Sequence, residues 1–142
     1  MGIPWNYGPR QFDVEAGKSS LVQLNVPHRG TIRSLSLSAP GGGAGAFEIY
    51  SSENAARRAV AEDNGDEFSS SAGTEDFVPV ASQLLNGTLV SGATLQGNLN
   101  VPYVNSDGSP TNAIQRLWMR LSPDGSGFLS FVLSMVIETP RL

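Results

Sequence analysis

The stretch FLSFVLSMVI, residues 128–137, decides the fold class of this chain. The turn-like segment SPDGSG, residues 122–127, leads into it, and IQRLWMRL, residues 114–121, precedes the turn. Together the three segments predict a long β-hairpin, because two strand-like runs flank a segment rich in Pro, Asp and Gly. The second arm is apolar on both of its faces, so we expect it in the middle of a packed sheet.

A helical alternative exists for the same stretch. Ser130, Ser134 and Glu138 recur at every fourth position, so residues 128–138 also fit a helix with one polar stripe. The β-branched and Phe residues along the path, the Gly-bounded turn before it and Pro140 after it favour a strand. We therefore predict a strand.

Length and composition favour a single all-β domain. A chain of 142 residues buries roughly 70% of its unfolded surface, which is enough for one core. Its 16 Gly and 9 Pro, with many Ser, Asn and Thr, supply turns for many short strands. The absence of Cys excludes a disulfide framework, a thiolate metal site and a cysteine nucleophile.

Charge and hydropathy argue against two classes of partner. A net charge of −4 does not suit a nucleic-acid binder, which needs a basic face. The longest apolar run covers about ten residues, whereas a membrane helix needs roughly 20. The first residues lack the basic and apolar regions of a signal peptide. We therefore expect a soluble protein that binds neither nucleic acid nor a membrane.

Short strands separated by turn signals run along most of the chain. The mismatched parity of the apolar residues in the predicted strand 31–38 predicts a bulge near Arg33. Pro79 and Pro102 predict edges or strand starts. Asn86-Gly87 predicts a hairpin turn. The predicted strands before the last two are 20–26, 31–38, 46–51, 77–80, 88–90, 94–99 and 101–104.

Two segments depart from this pattern. Residues 52–62 are dense in helix formers and predict a short helix in a loop outside a β-sandwich, and residues 62–76 predict an acidic surface loop. Residues 1–10 carry Trp5 and Tyr7 without periodicity, so we predict an extended N-terminal arm attached to a sandwich domain of residues 11–142. The arm either packs on its own domain or docks onto a neighbouring subunit.

No motif predicts a catalytic, cofactor or metal site. Gly17-Lys18-Ser19 resembles the end of a phosphate-binding loop, but Phe12 stands where that motif needs Gly. The Gly-rich residues 41–46 precede a strand instead of a helix. His28 is the single histidine, too few for a zinc site, and the acidic residues 62–67 lack the spacing of a calcium loop. We therefore expect no enzyme and no cofactor.

Aromatic and Arg residues predict an interaction surface instead. Trp, Tyr and Arg are the types that most often anchor protein interfaces. In the predicted hairpin, Arg116 and Arg120 flank Trp118 on one strand face, which is either exposed or covered by loops of the domain. The candidate interface residues are Ile3, Trp5, Tyr7, Arg10, Tyr103, Arg116, Trp118, Arg120 and Arg141.

The whole chain resembles the small, cysteine-free β-sandwich proteins that decorate or cement the heads of tailed bacteriophages. The features that carry this resemblance are the arm of residues 1–10, the loop-rich middle and the tail Glu138-Thr139-Pro140-Arg141-Leu142. The resemblance implies a jelly-roll-like protomer, a homotrimer and contacts to the major capsid protein on the head surface. It also implies a virion protein that is made in the host cytoplasm.

Two other functions are consistent with the residues. A carbohydrate-binding module or tail-associated receptor-binding protein would use Trp118 and Tyr103 as stacking platforms for sugar rings. A hydrolase would need a pair of carboxylates brought together by the fold, and no pair stands out in the sequence.

Overall fold

The fold is built almost entirely from β-strands. The structure is a computed structural model that describes residues 2–27, 29–51, 53–65, 83–90, 94–104, 115–125 and 127–139. None of these residues belongs to a helix that is long and apolar enough to cross a membrane. The elements, in chain order, are β1 (Ile3–Glu15), β2 (Ser20–Val26), β3 (Arg29–Ser38), β4 (Ala44–Tyr50), α1 (Glu53–Asn64), β5 (Gln83–Leu89), β6 (Thr94–Val104), β7 (Gln115–Asp124) and β8 (Phe128–Thr139).

The strands form two four-stranded antiparallel sheets that pack face to face. The first sheet has the order β1-β8-β3-β6 and the second has the order β2-β7-β4-β5. The first strand therefore pairs with the last, the second with the seventh, the third with the sixth and the fourth with the fifth. This nested pairing is that of a jelly roll. The prediction of an all-β, jelly-roll-like sandwich with one short helix is confirmed.

The predicted hairpin between residues 114–121 and 128–137 is wrong. β7 lies in the second sheet and β8 in the first, so the turn between them crosses from one sheet to the other. Each strand turns every second side chain into the core, as Leu117 and Met119 of β7 and Leu133 of β8 show. These two rows fill the core from opposite sides, whereas in a hairpin they would lie in the same sheet. The central position of β8, between β1 and β3, is confirmed.

The core lies between the two sheets. In β8 every second side chain from Phe131 to Ile137 is at most 2% exposed, whereas Val132 and Val136 on the outer face are half-buried. This alternation follows from the two-residue repeat of a strand. The largest fully buried side chains come from both sheets: Phe47, Phe131, Leu24, Ile32, Leu37, Ile49, Leu89, Leu117, Met119, Leu121, Leu133 and Met135.

We predict that Leu133→Ala destabilises the protein by about 2–5 kcal/mol, because it removes buried methyl groups and leaves a cavity in the central strand. The matched control is Ser134→Ala, which changes the next residue on the outer face and should alter stability by less than about 0.5 kcal/mol. Urea unfolding followed by tryptophan fluorescence measures both. Equal effects of the two variants would contradict the assignment of the inward row.

The N-terminal residues 3–10, predicted to form an arm outside the sandwich, are the first half of β1. They are extended and pair with β8, beginning with Ile3 opposite Thr139. The pairing shifts register between Tyr7 and Arg10, where Gly8 has a φ of 81° and the Gly8-Pro9 peptide is cis. Because the strand continues to Glu15, the structure shows no boundary at residue 10.

Other local predictions have mixed outcomes. Both neighbours of β3 shift register between Ile32 and Ser34, so the bulge near Arg33 is confirmed. Pro102 lies in β6, which is an edge strand as predicted. The predicted strand at 77–80, which contains Pro79, lies outside the described residues.

The predicted turn at Asn86-Gly87 is wrong, because β5 runs straight through it. Gly87 lies opposite Phe47 of β4. A Cβ atom on Gly87 would lie 2.8 Å from the Phe47 ring and 2.9 Å from a methyl carbon of Leu95. Glycine is needed here because Phe47 fills the space that a side chain would occupy.

We predict that Gly87→Ala costs about 1–3 kcal/mol through overpacking, because Phe47 is fully buried and has no room to shift. Gly41→Ala is the matched control, since a Cβ atom there meets no heavy atom within 4 Å. Thermal unfolding of the two variants tests the contact. A Gly87 variant as stable as the Gly41 variant would contradict it.

Helix α1 covers part of the outer face of the second sheet. Ala55 and Ala56 pack against Tyr50 of β4 and Trp118 of β7. Small Ala side chains let the helix approach the two aromatic rings closely. The predicted helix is therefore confirmed. Its last residues take up the start of the predicted acidic loop, and residues 66–76 of that loop lie outside the described residues.

Candidate interaction surface

Large hydrophobic side chains are exposed at opposite ends of the sandwich. In the described part of the chain they are Ile3 (52% exposed), Trp5 (37%), Val90 (66%) and Phe128 (77%). Ile3 begins β1 and Phe128 begins β8, and these antiparallel neighbours therefore place them at opposite ends. The 12 residues of β8 rise by about 3.3 Å each, so roughly 36 Å separates the two ends.

Val90 lies at the same end of the sandwich as Phe128. It follows Leu89, which pairs with Gly45 of β4. Gly45 pairs in turn with Pro123, which lies close to the crossing from β7 to β8. The chain thus brings two exposed apolar side chains to one end from separate strands.

Trp5 is an exposed aromatic residue at the opposite end of the sandwich. β1 and β2 are edge strands of the two sheets on the same side of the sandwich. Between them lies an open cavity of about 440 Å³, lined by Trp5, Tyr7, Arg10, Asn25 and neighbouring residues. The Trp5 ring contacts Tyr7, with ring centroids 6.4 Å apart. An exposed indole beside an exposed guanidinium is suited to contact with another protein.

Three aromatic residues predicted for an interface are buried in the protein itself. Tyr7 is 5% exposed, Tyr103 is 4% exposed and Trp118 is 5% exposed. The Tyr103 hydroxyl donates a hydrogen bond to the Pro27 carbonyl oxygen over 2.9 Å, and burial raises its pKa. Trp118 packs beneath α1. These rings stabilise the fold, and the stacking platform required by the carbohydrate-binding alternative is a wrong prediction.

The predicted arginines are dispersed. Arg10 is exposed beside Trp5, whereas Arg120 is held in an ion-pair network on the second sheet. Arg116 lies in β7, but its side chain is outside the described part of the structure, as are Arg141 and His28. Of the predicted residues whose side chains are described, Trp5, Tyr7 and Arg10 line one cavity, and Ile3 lies two residues before Trp5 on the same strand.

Sequence reasoning missed Phe128 as a surface residue, although the signal was present. The buried residues of β8 from Phe131 onward fall at odd-numbered positions, so Phe128 belongs to the outer face by parity. Val90 has a weaker signal, since it directly follows the buried Leu89 at the end of β5.

The Arg120 network fastens α1 to the second sheet. Arg120 donates to the Glu48 carboxylate over 2.8 Å and also pairs with Asp63 at the end of the helix. Asn64 receives a hydrogen bond from the Ser19 backbone N–H over 2.8 Å and donates to the Ser19 carbonyl over 3.0 Å. Because these residues are far apart in sequence, no local motif predicts the network.

Asp63 is the titrating member of this network. The Ser19 hydroxyl donates to its carboxylate, and with Ser122 and Arg120 this contact holds the pKa of Asp63 below its ordinary value. The ionised form therefore stabilises the folded state. That stabilisation is complete above the unfolded pKa of about 3.9 and is lost as the pH falls through the lowered native pKa.

We predict that Asp63→Asn lowers the stability at pH 7 and reduces the further loss of stability as the pH falls below about 4. Glu62→Gln is the matched control, because Glu62 is the preceding exposed residue on the same helix. Urea unfolding at a series of pH values measures the dependence. If the two variants have the same pH profile, Asp63 does not anchor the helix.

Similarity does not assign the chain to a family. No family model, curated protein or solved structure matches the chain. Among the described residues, no three His, Cys, Asp or Glu side chains are grouped so as to hold a metal ion. The two apolar ends and the cavity beside Trp5 are therefore the features from which we argue function.

Proposed function

We propose that this protein is a virion structural protein that decorates the assembled phage head and stabilises it across subunit boundaries. The observation that carries the proposal is the division of the exposed large hydrophobic side chains between two ends of one stiff sandwich, roughly 36 Å apart. Burial of exposed apolar side chains is the main driving force of protein association. A protomer with two such ends is suited to contact two neighbouring capsid subunits.

The spacing explains why such a protein would prefer an assembled shell. Among the described residues each end exposes two large apolar side chains, so a single contact is weak. When both contacts form on one rigid protomer, the second is intramolecular and the overall affinity rises by orders of magnitude. Free capsid subunits do not present two sites at a fixed distance, whereas a shell does. Binding only the assembled state stabilises that state.

A homotrimer is part of the same proposal and comes from the resemblance to head decoration proteins. The open cavity between β1 and β2, which is lined in part by Arg10 and Asn25, supports this part of the proposal because it offers a concave surface to a second copy. The molar mass of the purified protein, measured by light scattering after size exclusion, tests this part by itself. A monomer at micromolar concentration would contradict it and would leave the two-ended contact to be tested separately.

We predict that Trp5→Ala and Phe128→Ala each weaken binding to undecorated heads of the encoding virus by at least about 30-fold, because each removes an anchor worth 2 kcal/mol or more. Co-sedimentation with the heads measures the affinity. Both side chains are exposed, so both variants should fold. Gln23→Ala, an exposed change on β2, is the matched control.

The outcomes separate the parts of the proposal. Loss of binding in both variants supports a two-ended contact, and loss in one alone shows a one-ended attachment and contradicts bridging. Wild-type binding by both variants would overturn the proposal. Deletion of residues 1–10 is a poor test, because it removes Tyr7 from the core and leaves half of one side of β8 unpaired.

A further inference from the structure

A groove crosses the outer face of the first sheet from one edge to the other. The cavity has a volume of about 510 Å³ and is lined by residues of all four strands. Its floor lies over Tyr7, Met135, Leu35 and Gly97, the first three of which are buried from the core side. β1 and β6 are the edge strands, so the groove is open at both ends.

Strand register places the groove walls in two rows. In the first row, Asn6 of β1 pairs with Val136 of β8. Val136 also pairs with Ser34 of β3, and Ser34 pairs with Asn98 of β6. The second row is formed by residues two positions along the strands. Its members are Ser134 of β8, Ser36 of β3 and Gln96 of β6.

Outward orientation of the central residues follows from burial. Ser36 lies between the buried Leu35 and Leu37, and Ser134 lies between the buried Leu133 and Met135. Because successive side chains alternate between faces, both hydroxyls point away from the core. The amides of the edge strands are exposed.

The polar side chains of the walls are uncommitted. Within the described residues no hydrogen bond to another protein group is made by the side chains of Asn6, Ser34, Ser36, Gln96, Asn98 or Ser134. Polar groups on either side of the groove are engaged instead. Arg33 donates to Glu138 and to Asn100, each over 2.7 Å, and Gln11 donates to Asp13 over 3.1 Å. The donors and acceptors of these six side chains are therefore free to bind a ligand in the groove.

The lack of charged side chains among the described lining residues limits which ligands the groove can bind. Among the residues that the structure describes, the groove is lined by amides, hydroxyls, backbone and Val136, and by no Asp, Glu, Lys, Arg or His. Anionic and cationic ligands would find no counter-charge there. A neutral ligand with many hydroxyl groups can both donate to and accept from amides and hydroxyls, and its C–H faces can pack on Val136 and the floor.

We propose that this groove binds an internal segment of a neutral, linear oligosaccharide. Four strands spaced about 4.8 Å apart give the groove a length of about 14 Å, which holds a few sugar rings in line. Because both ends are open, the ligand chain continues past β1 and β6, and no chain terminus is recognised. The site is separate from the apolar ends and does not depend on the proposed role at the phage head.

The test begins with an array of immobilised glycans that holds neutral glucans, mannans and galactans beside sialylated and sulfated glycans. We expect binding to at least one neutral linear glycan and none to the charged set. The soluble oligosaccharide of the strongest signal is then titrated into ¹⁵N-labelled protein. The side-chain amide signals of Asn6, Gln96 and Asn98 should shift.

The double variant Gln96→Ala/Asn98→Ala should lower the affinity at least tenfold. Both residues are exposed on an edge strand, so the fold should be retained. Asn86→Ala is the matched control, because it removes an exposed amide from an edge strand of the other sheet. The proposal is overturned if no neutral glycan binds, if charged glycans bind better, or if the double variant binds like the control.

Discussion

The structure depends on the pairing of β8 with both β1 and β3. The inward row of β8 from Phe131 to Ile137 is buried against the second sheet, and its two ladders join the beginning of the chain to its end. The remaining strands pair in nested order around this pair, and every connection except the one between β4 and β5 crosses from one sheet to the other. The contacts that close the fold are therefore the most distant ones in sequence, and formation of the first sheet requires nearly the whole chain.

Local sequence patterns predicted the strands better than their partners. Apolar residues on both faces of residues 128–137 indicated a central strand, and the parity mismatch around Arg33 indicated the bulge. A turn with the composition of residues 122–127 suits both a hairpin and a connection between two sheets. Which of the two forms depends on the distant partners of β7 and β8. The prediction for Gly87 was wrong for a similar reason. Gly87 allows Phe47 to pack closely against β5 and does not form a turn.

The candidate site was predictable only in part. Ile3, Trp5 and Arg10 were identified from residue type; all three are exposed on β1, and Trp5 and Arg10 line the same cavity. The burial of Trp118 could not be predicted, because it depends on the Ala residues of α1 that cover the ring. No pattern in the sequence relates the helix to β7. The groove on the first sheet was invisible in sequence, because its amides and hydroxyls come from four strands in four different parts of the chain.

In the described part of the chain, the helix covers part of the second sheet, and no helix covers the first. Both edge strands of that sheet carry proline: Pro4 and Pro9 in β1, and Pro102 in β6. A proline has no N–H to offer an incoming strand, and the bulge between Tyr7 and Arg10 interrupts the ladder further. These prolines and the bulge therefore disfavour edge-to-edge strand pairing between two copies of the first sheet.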